Sequence, residues 1–405
     1  MALSGNLLVG QSGGPTAVIN ASLAGVVEEA SRHAEIGDIY GAVNGVEGLL
    51  KESLVDLRAE SEETLTLLPR TPSAALHSCR KKLSDADYQR LLTIFQAHNV
   101  RYFCYLGGND SADTAHRIGL LAEKSGWEMR VMGVPKTVDN DLAYTDHCPG
   151  YGSVARFSAL ATRDAGLDTI AMHTVDIVKI IETMGRNAGW ITASTALARE
   201  QPGDPPHLIY LPERPFDPER FLADVKAQVE QGRGCVIAVC EGLRDAKGDI
   251  LVSFKHALGT DSFGHSQLGG VGDHLVNLIA EGLSLKARFD KAGTIQRSFG
   301  LAQSTVDVAE AKMVGEAAVA QACQGVSDQM ITLVRVNQEP YRCQTGLAPL
   351  AAVANAERPL PDEFISESGN DVTPAFIAYA RPLIGGSLPR YARLAMKPVP
   401  KKLGA

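Results

Sequence analysis

Apolar and polar positions alternate along this chain in blocks of element length. Leu7–Val9 is a short apolar run that ends in the glycine-rich stretch Gly10–Pro15 (GQSGGP), and a helical pattern follows through about His33. Tyr102–Leu106 repeats the theme, with a Gly-Gly turn and a helix from about Ser111. Val131–Val134, Val175–Ile181, Leu208–Leu211 and Val236–Val239 are further runs of strand length. Helical patterns also start near Asp273 and run from about Ser304 to Ala322, the latter rich in Ala and Val and read as a packed structural helix. This alternation predicts an α/β fold, two-lobed, with mostly parallel sheets flanked by helices. Ligands in such sheets bind beyond the carboxyl ends of the strands, where the polar, glycine-rich segments fall here.

The 405 residues suffice for two or three lobes. One lobe is expected around residues 1–140 and another around 150–260, with 261–405 returning to complete both. Gln201–Pro206 and Gly264–Gly272 read as loops, and the basic tail from Lys397 as a mobile end. His265, within the glycine-rich stretch Phe263–Gly272, is not expected to be a ligand. Apolar residues make up 45% and charged residues 21%, an ordinary globular balance. No segment approaches the roughly 20 apolar residues needed to span a bilayer, and the start of the chain reads as a first strand rather than a signal peptide. The net charge of −8 argues against nucleic acid or an anionic membrane as partner. Seven scattered cysteines with no Cys-x-x-Cys pair point to reduced thiols in a cytoplasmic protein.

Three segments carry candidate chemistry. In Gly10–Pro15, glycines would let backbone N–H groups approach an anion at a helix N-terminus, although a tight turn that binds nothing reads the same way. In Leu106–Ser111 (LGGNDS), Gly107 and Gly108 would expose amides. Asn109 and Asp110 offer oxygens to a hard cation such as Mg²⁺, or Asp110 or Ser111 simply caps the helix. Pro135–Asp141 (PKTVDND) is the densest: a lysine, a hydroxyl and two carboxylates directly after an apolar strand. Phosphoryl transfer needs such groups, a carboxylate to accept a hydroxyl proton and a cation to offset transferred charge.

These segments resemble the phosphofructokinase family. The resemblance continues through Thr183–Arg186 (TMGR), Cys240–Gly242 (CEG) and Thr294–Arg297 (TIQR), in the family's order and rough spacing. It implies phosphoryl transfer to the C1 hydroxyl of fructose 6-phosphate, with Mg²⁺ as cofactor. By resemblance, Asp139 is the general base, and Thr137 and Asp141 hold the sugar and the transferring group. Thr183, Met184, Gly185 and Arg186 line the sugar-phosphate side, with Arg186 also among the catalytic groups. Glu241 binds sugar hydroxyls, Thr294 belongs to the sugar site, and Arg297 and Arg288 grip the 6-phosphate, a task suited to the paired donors of arginine.

The resemblance also bears on the donor. ATP-using relatives usually carry glycine where this chain has Asp110 and Lys136, and pyrophosphate-using members resemble this chain at both. Asp110 would set a carboxylate where the α-phosphate of ATP must lie, and Lys136 would add the electrostatic grip that a donor without a nucleoside needs. Gly13, Arg80, Asp110 and Lys136 would form the pyrophosphate site, with Asn109 beside the metal.

Several positions depart from the family's pattern. His77 stands at a usual glycine ahead of Arg80, and its turn is expected to differ because histidine lacks glycine's backbone freedom. Asn109 replaces an aspartate that serves Mg²⁺, and Thr294 replaces a histidine. Ile177 falls near the position of an arginine borrowed between subunits, which leaves sedoheptulose 7-phosphate as a possible second acceptor. Family members form dimers and tetramers, so a homodimer or homotetramer is expected. The alternatives are an ATP-dependent phosphofructokinase, a catalytically silent sugar-phosphate-binding subunit and an NAD-dependent dehydrogenase. The missing G-x-G-x-x-G counts against the last.

Overall fold

The computed structural model describes residues 3–252, 268 and 270–403; the segment around His265 lies outside the described residues. Eleven strands occur among them: β1 (Gly5–Gln11), β2 (Ile36–Ala42), β3 (Leu54–Asp56), β4 (Val100–Gly107), β5 (Arg130–Pro135), β6 (Val178–Thr183), β7 (Leu208–Tyr210), β8 (Cys235–Cys240), β9 (Ala287–Lys291), β10 (Gln329–Gln338) and β11 (Tyr341–Pro349). They build a seven-stranded sheet of order β11-β10-β5-β4-β1-β2-β3 and a four-stranded sheet of order β7-β8-β6-β9. Two pairs, β2–β3 and β10–β11, are antiparallel, and the other pairs are parallel. The second sheet runs past residue 260 to β9, and β10–β11 return to the first.

The apolar runs form strands because they are covered on both faces, as parallel sheets require. Along β1, Leu8 joins one core with Phe95 and Phe103. Its neighbours Leu7 and Val9 join the opposite core with Ile19, Leu23 and Val314. In the second lobe, Ile180 and Val239 pack on Phe221 and Leu275. On the other side, Trp190 and Tyr151 meet Phe376 and Leu383 from the C-terminal part of the chain.

The Ile19–Ala30 helix packs on the Thr305–Cys323 helix through two facing glycines. A Cβ on Gly25 would lie 2.2 Å from the Lys312 carbonyl oxygen, and one on Gly315 would lie 2.1 Å from that of Ser22. Backbone contact this close admits no side chain at either position.

In the first sheet the order reverses beside β1, because β2 lies on one side of it and β4 on the other. The loops after β1, β4 and β5 therefore open at a topological switch point, the usual place for a ligand in such a sheet.

Candidate active site

A cavity of about 180 Å³ sits at that switch point. It is lined by Ser12, Gly13 and Gly14 after β1, by Gly108–Ser111 after β4, and by Lys136, Thr137, Asp139 and Asp141 after β5. Arg80 closes one side, and Arg186, Asn187, Ala188 and Glu357 close the other. Every residue expected at the pyrophosphate, metal and catalytic positions thus lines one cavity.

The local backbone explains the convergence. Gln11 is buried and hydrogen-bonds Asn20 Oδ1 at 3.0 Å and the Leu76 N–H at 2.9 Å, which brings the segment holding Arg80 beside the glycine loop. His77 adopts a left-handed backbone with φ of 59°, a region that glycine occupies more readily than histidine. Its ring meets Asn44 Oδ1 at 3.2 Å, which helps offset the steric cost of about 1–2 kcal/mol for a side chain in that region. Asn140, between the two carboxylates, is also left-handed, at φ of 55°. It is held on both sides: Oδ1 accepts from the Cys148 N–H at 2.9 Å, and Nδ2 donates to the Tyr379 hydroxyl at 3.0 Å.

Cations gather on the glycine loop. Lys136 is only 4% exposed, and its Nζ donates to the Gly14 carbonyl oxygen at 2.8 Å. A Cβ on Gly14 would lie 3.0 Å from Arg297 Nη1 and 3.7 Å from Arg80 Nη2. Burial, then the charges of Arg297 and Arg80, lower the Lys136 ammonium to about 8. Burial and Arg80 lower the Arg297 guanidinium as well, and its buried Nε has no hydrogen-bond partner. Like charges crowded into a poorly solvated site favour an anionic ligand between them.

Acids face these cations. Burial, then Asp141 and Glu241, raise the Asp139 carboxyl to about 7, against the opposing pull of Lys136 and Arg186. Burial also raises Asp141 and Glu241. The backbone N–H of Asp139 donates to Thr137 Oγ1 at 3.1 Å, which closes the turn that presents both groups. Asn109 opens the Asn109–Lys124 helix, two residues ahead of the expected start, and its side-chain oxygen accepts from the Asp110 N–H at 2.9 Å. That oxygen is thus engaged by its own helix, while Asp110 adds a carboxylate to the cavity lining.

The remaining expected residues fall into two groups. Thr183, Met184, Gly185 and Glu241 stand at the ends of β6 and β8, next to Arg186 but behind the cavity lining. The Met184 N–H donates to Gln296 Oε1 at 3.2 Å, which ties this edge to the Gly293–Arg297 turn and so places Arg297. Arg288 and Thr294 are exposed and outside the cavity. Arg288 lies on edge strand β9, where Nε pairs with Asp176 Oδ2 at 2.8 Å. Sequence reading singled out neither Asn187 nor Glu357, which bond each other at 2.8 Å in the cavity wall. Asn187 follows the TMGR segment and was within reach, whereas Glu357 belongs to no motif.

The family model described as Phosphofructokinase matches residues 6–322. The chain belongs to the phosphofructokinase family. A protein of Halomonas elongata named pyrophosphate–fructose 6-phosphate 1-phosphotransferase is 44% identical over 413 aligned positions, covering 98% of each chain. A protein of the same name from Xanthomonas campestris pv. campestris is 43% identical, covering 99% of each. The crystal structure of pyrophosphate-dependent phosphofructokinase from Nitrosospira multiformis matches with a TM-score of 0.87 at 40% identity, over 99% of each chain. The two-lobed phosphofructokinase fold follows from these findings.

Proposed function

We propose that this chain transfers a phosphoryl group from inorganic pyrophosphate to the C1 hydroxyl of fructose 6-phosphate, giving fructose 1,6-bisphosphate and phosphate, reversibly. The observation that carries this reading is the buried Lys136 ammonium on the Gly13–Gly14 loop, in one cavity with Asp110 and Asp139. The names of the full-length relatives at 43–44% identity agree with it.

In this reading Arg80, Lys136 and the Gly13 loop hold pyrophosphate. Asp110 disfavours ATP: like charges about 4 Å apart repel by about 4 kcal/mol at an effective dielectric of 20, close to a thousandfold in affinity. Asp139 takes the C1 hydroxyl proton, and a carboxyl raised to about 7 is well matched to that task near neutral pH. Thr137, Asp141, Thr183, Met184, Gly185, Arg186, Glu241 and Arg297 form the sugar-phosphate side, whereas Thr294, exposed and outside the cavity, has no place in it. The oxygens at the cavity fit a hard cation, with Asp110 and the donor's own oxygens holding Mg²⁺ and Asn109 secondary. Bound there, Mg²⁺ supplies charge neutralisation on the transferring group.

Residues 1–140 with β10 and β11 make up the donor lobe, and the chain from 150 through β9 the sugar lobe. Arg288, exposed on an edge strand, enters this scheme across a subunit interface, in keeping with a homodimer or homotetramer in the cytoplasm. Phosphorus NMR tests the reaction. Pyrophosphate and fructose 6-phosphate with Mg²⁺ should yield a bisphosphate, and the bisphosphate with phosphate should regenerate pyrophosphate. A spectrum unchanged in both directions would favour the silent-subunit reading.

A further inference from the structure

The loop that carries Asp139 and Asp141 runs on to residue 150, and its far end is pinned by a buried histidine. His147 is 1% exposed. Its Nδ1 lies 2.7 Å from Asp146 Oδ1, and its Nε2 lies 2.7 Å from Glu310 Oε2 on the Thr305–Cys323 helix. Only an imidazolium donates from both ring nitrogens. A neutral ring would aim a lone pair at a carboxylate in a buried site, a costly arrangement. Cys343 Sγ also comes within 4.8 Å of the His147 and Glu310 donor atoms.

Both carboxylates are themselves fixed. The Tyr341 hydroxyl on β11 donates to Glu310 Oε1 at 2.6 Å, and Arg335 on β10 donates to Asp146 Oδ1 through Nη2 at 2.9 Å and Nε at 3.2 Å. One turn before Glu310, Asp307 accepts from the Gly150 and Ser153 N–H groups, each at 2.8 Å. One helix face thus grips the end of the loop twice. The grip reaches the front of the loop through Arg358, which donates to the carbonyl oxygen of Asp146 at 2.7 Å and to that of Asn140 at 2.8 Å. Asn140 separates Asp139 from Asp141.

We propose that His147 is a positioning residue: as an imidazolium clamped between Asp146 and Glu310 it fixes the loop that presents Asp139 and Asp141, and its deprotonation slackens that loop. The proposal rests on the reading of Asp139 as the base. The charged and titratable groups around the ring are Asp146 from its own loop, Glu310 from the helix, and Tyr341 and Cys343 from β11, with Arg335 from β10 on the Asp146 carboxylate and Arg358 and the Tyr379 hydroxyl on the Asp146 carbonyl. Burial pulls the ring down, and the hydrogen bonds and charges of Asp146 and Glu310 outweigh it and raise His147 above its ordinary range. Burial likewise pushes Asp146 up, and His147 and Arg335 bring it below its ordinary range. A raised histidine contributes stability that is complete below its unfolded value of about 6.5 and is lost as pH rises through the folded value.

The test pairs histidine-selective NMR titration with steady-state kinetics on the full-length protein, using pyrophosphate as donor, for wild type, Glu310→Gln and His147→Gln. The wild-type His147 ring should titrate above the ordinary range. In Glu310→Gln it should titrate about one pH unit lower, and kcat should fall over that same interval. His147→Gln, with its fold checked by circular dichroism, should lower kcat about 10- to 100-fold and leave both KM values within about twofold. If His147→Gln does not fold, Glu310→Gln decides. A kcat that ignores the ring's titration overturns the proposal, as does a wild-type ring that titrates in or below the ordinary range. The titration needs no turnover. An inactive wild type would therefore sink the functional reading and leave the clamp to be judged on the ring alone.

Discussion

Lys136 Nζ and the Gly14 carbonyl oxygen, 122 positions apart in sequence, meet at 2.8 Å and join the loop after β5 to the loop after β1. The bond buries an ammonium at the point where the Arg80 and Arg297 guanidiniums also converge. Lys136→Met keeps the length of the side chain and removes the charge. It should lower kcat/KM for pyrophosphate about 100- to 1,000-fold, the usual loss when one preorganised charge is taken from a phosphoryl site. It should also raise Tm, because a costly buried charge is gone. Donor kinetics beside thermal melts check both; unchanged kinetics would remove Lys136 from the donor site.

The opposed shifts of Asp139 and Lys136 predict a narrow pH optimum. Asp139 must be ionised, so activity rises as pH passes about 7. Lys136 must be protonated, so activity falls as pH passes about 8. The profile of kcat/KM should be bell-shaped, with an acid limb set by Asp139 and an alkaline limb shared by Lys136 and His147. Asp139→Asn should cut kcat about 10²- to 10⁴-fold.

Linkage adds a second sign for the same residue. Because the folded carboxyl is raised, the native state binds more protons than the unfolded chain between about 4 and about 7, and stability falls as pH climbs through that interval. Asp139→Asn should therefore gain more in Tm relative to wild type at about pH 8 than at about pH 5. Melting curves at the two pH values check this, and an equal gain at both would contradict the raised carboxyl.

Asp110 and Lys136 line one cavity, and the resemblance to the phosphofructokinase family assigns both to the choice of donor. The double variant Asp110→Gly with Lys136→Gly should lose pyrophosphate turnover and admit some ATP. Parallel donor assays test this. A double variant with unchanged donor preference would end the account of specificity.

Much of the site was legible because it lies in short segments directly after apolar runs, where the chain must turn and polar groups have few structural duties. Gly13, Asp110, Lys136, Asp139 and Arg186 all fall in such segments, and all line the cavity. Glu357 was not legible, because a long return of the chain brings it there and no local pattern marks it. Strand β9 carries only two apolar side chains in five exposed or half-buried positions, Ala287 and Phe289, and so lacks a strand's signature. In strand β2 the apolar pattern is interrupted by Gly37, Asp38 and Gly41. His77 is a position where residue type gives no sign of the left-handed backbone that the chain adopts.

The glycine pair between the two long helices gives a stability prediction away from the site. Gly315→Ala should cost about 1–3 kcal/mol, the usual penalty for overpacking, because the new methyl would press on the Ser22 carbonyl. Turnover per folded molecule should change little. Chemical denaturation measures the cost, and wild-type stability in this variant would contradict the packing described.

The most direct test of the central claim is the initial rate with fructose 6-phosphate and Mg²⁺, measured in parallel with pyrophosphate and with ATP. The account predicts turnover with pyrophosphate and little or none with ATP. Turnover with ATP alone would contradict the roles given to Asp110 and Lys136.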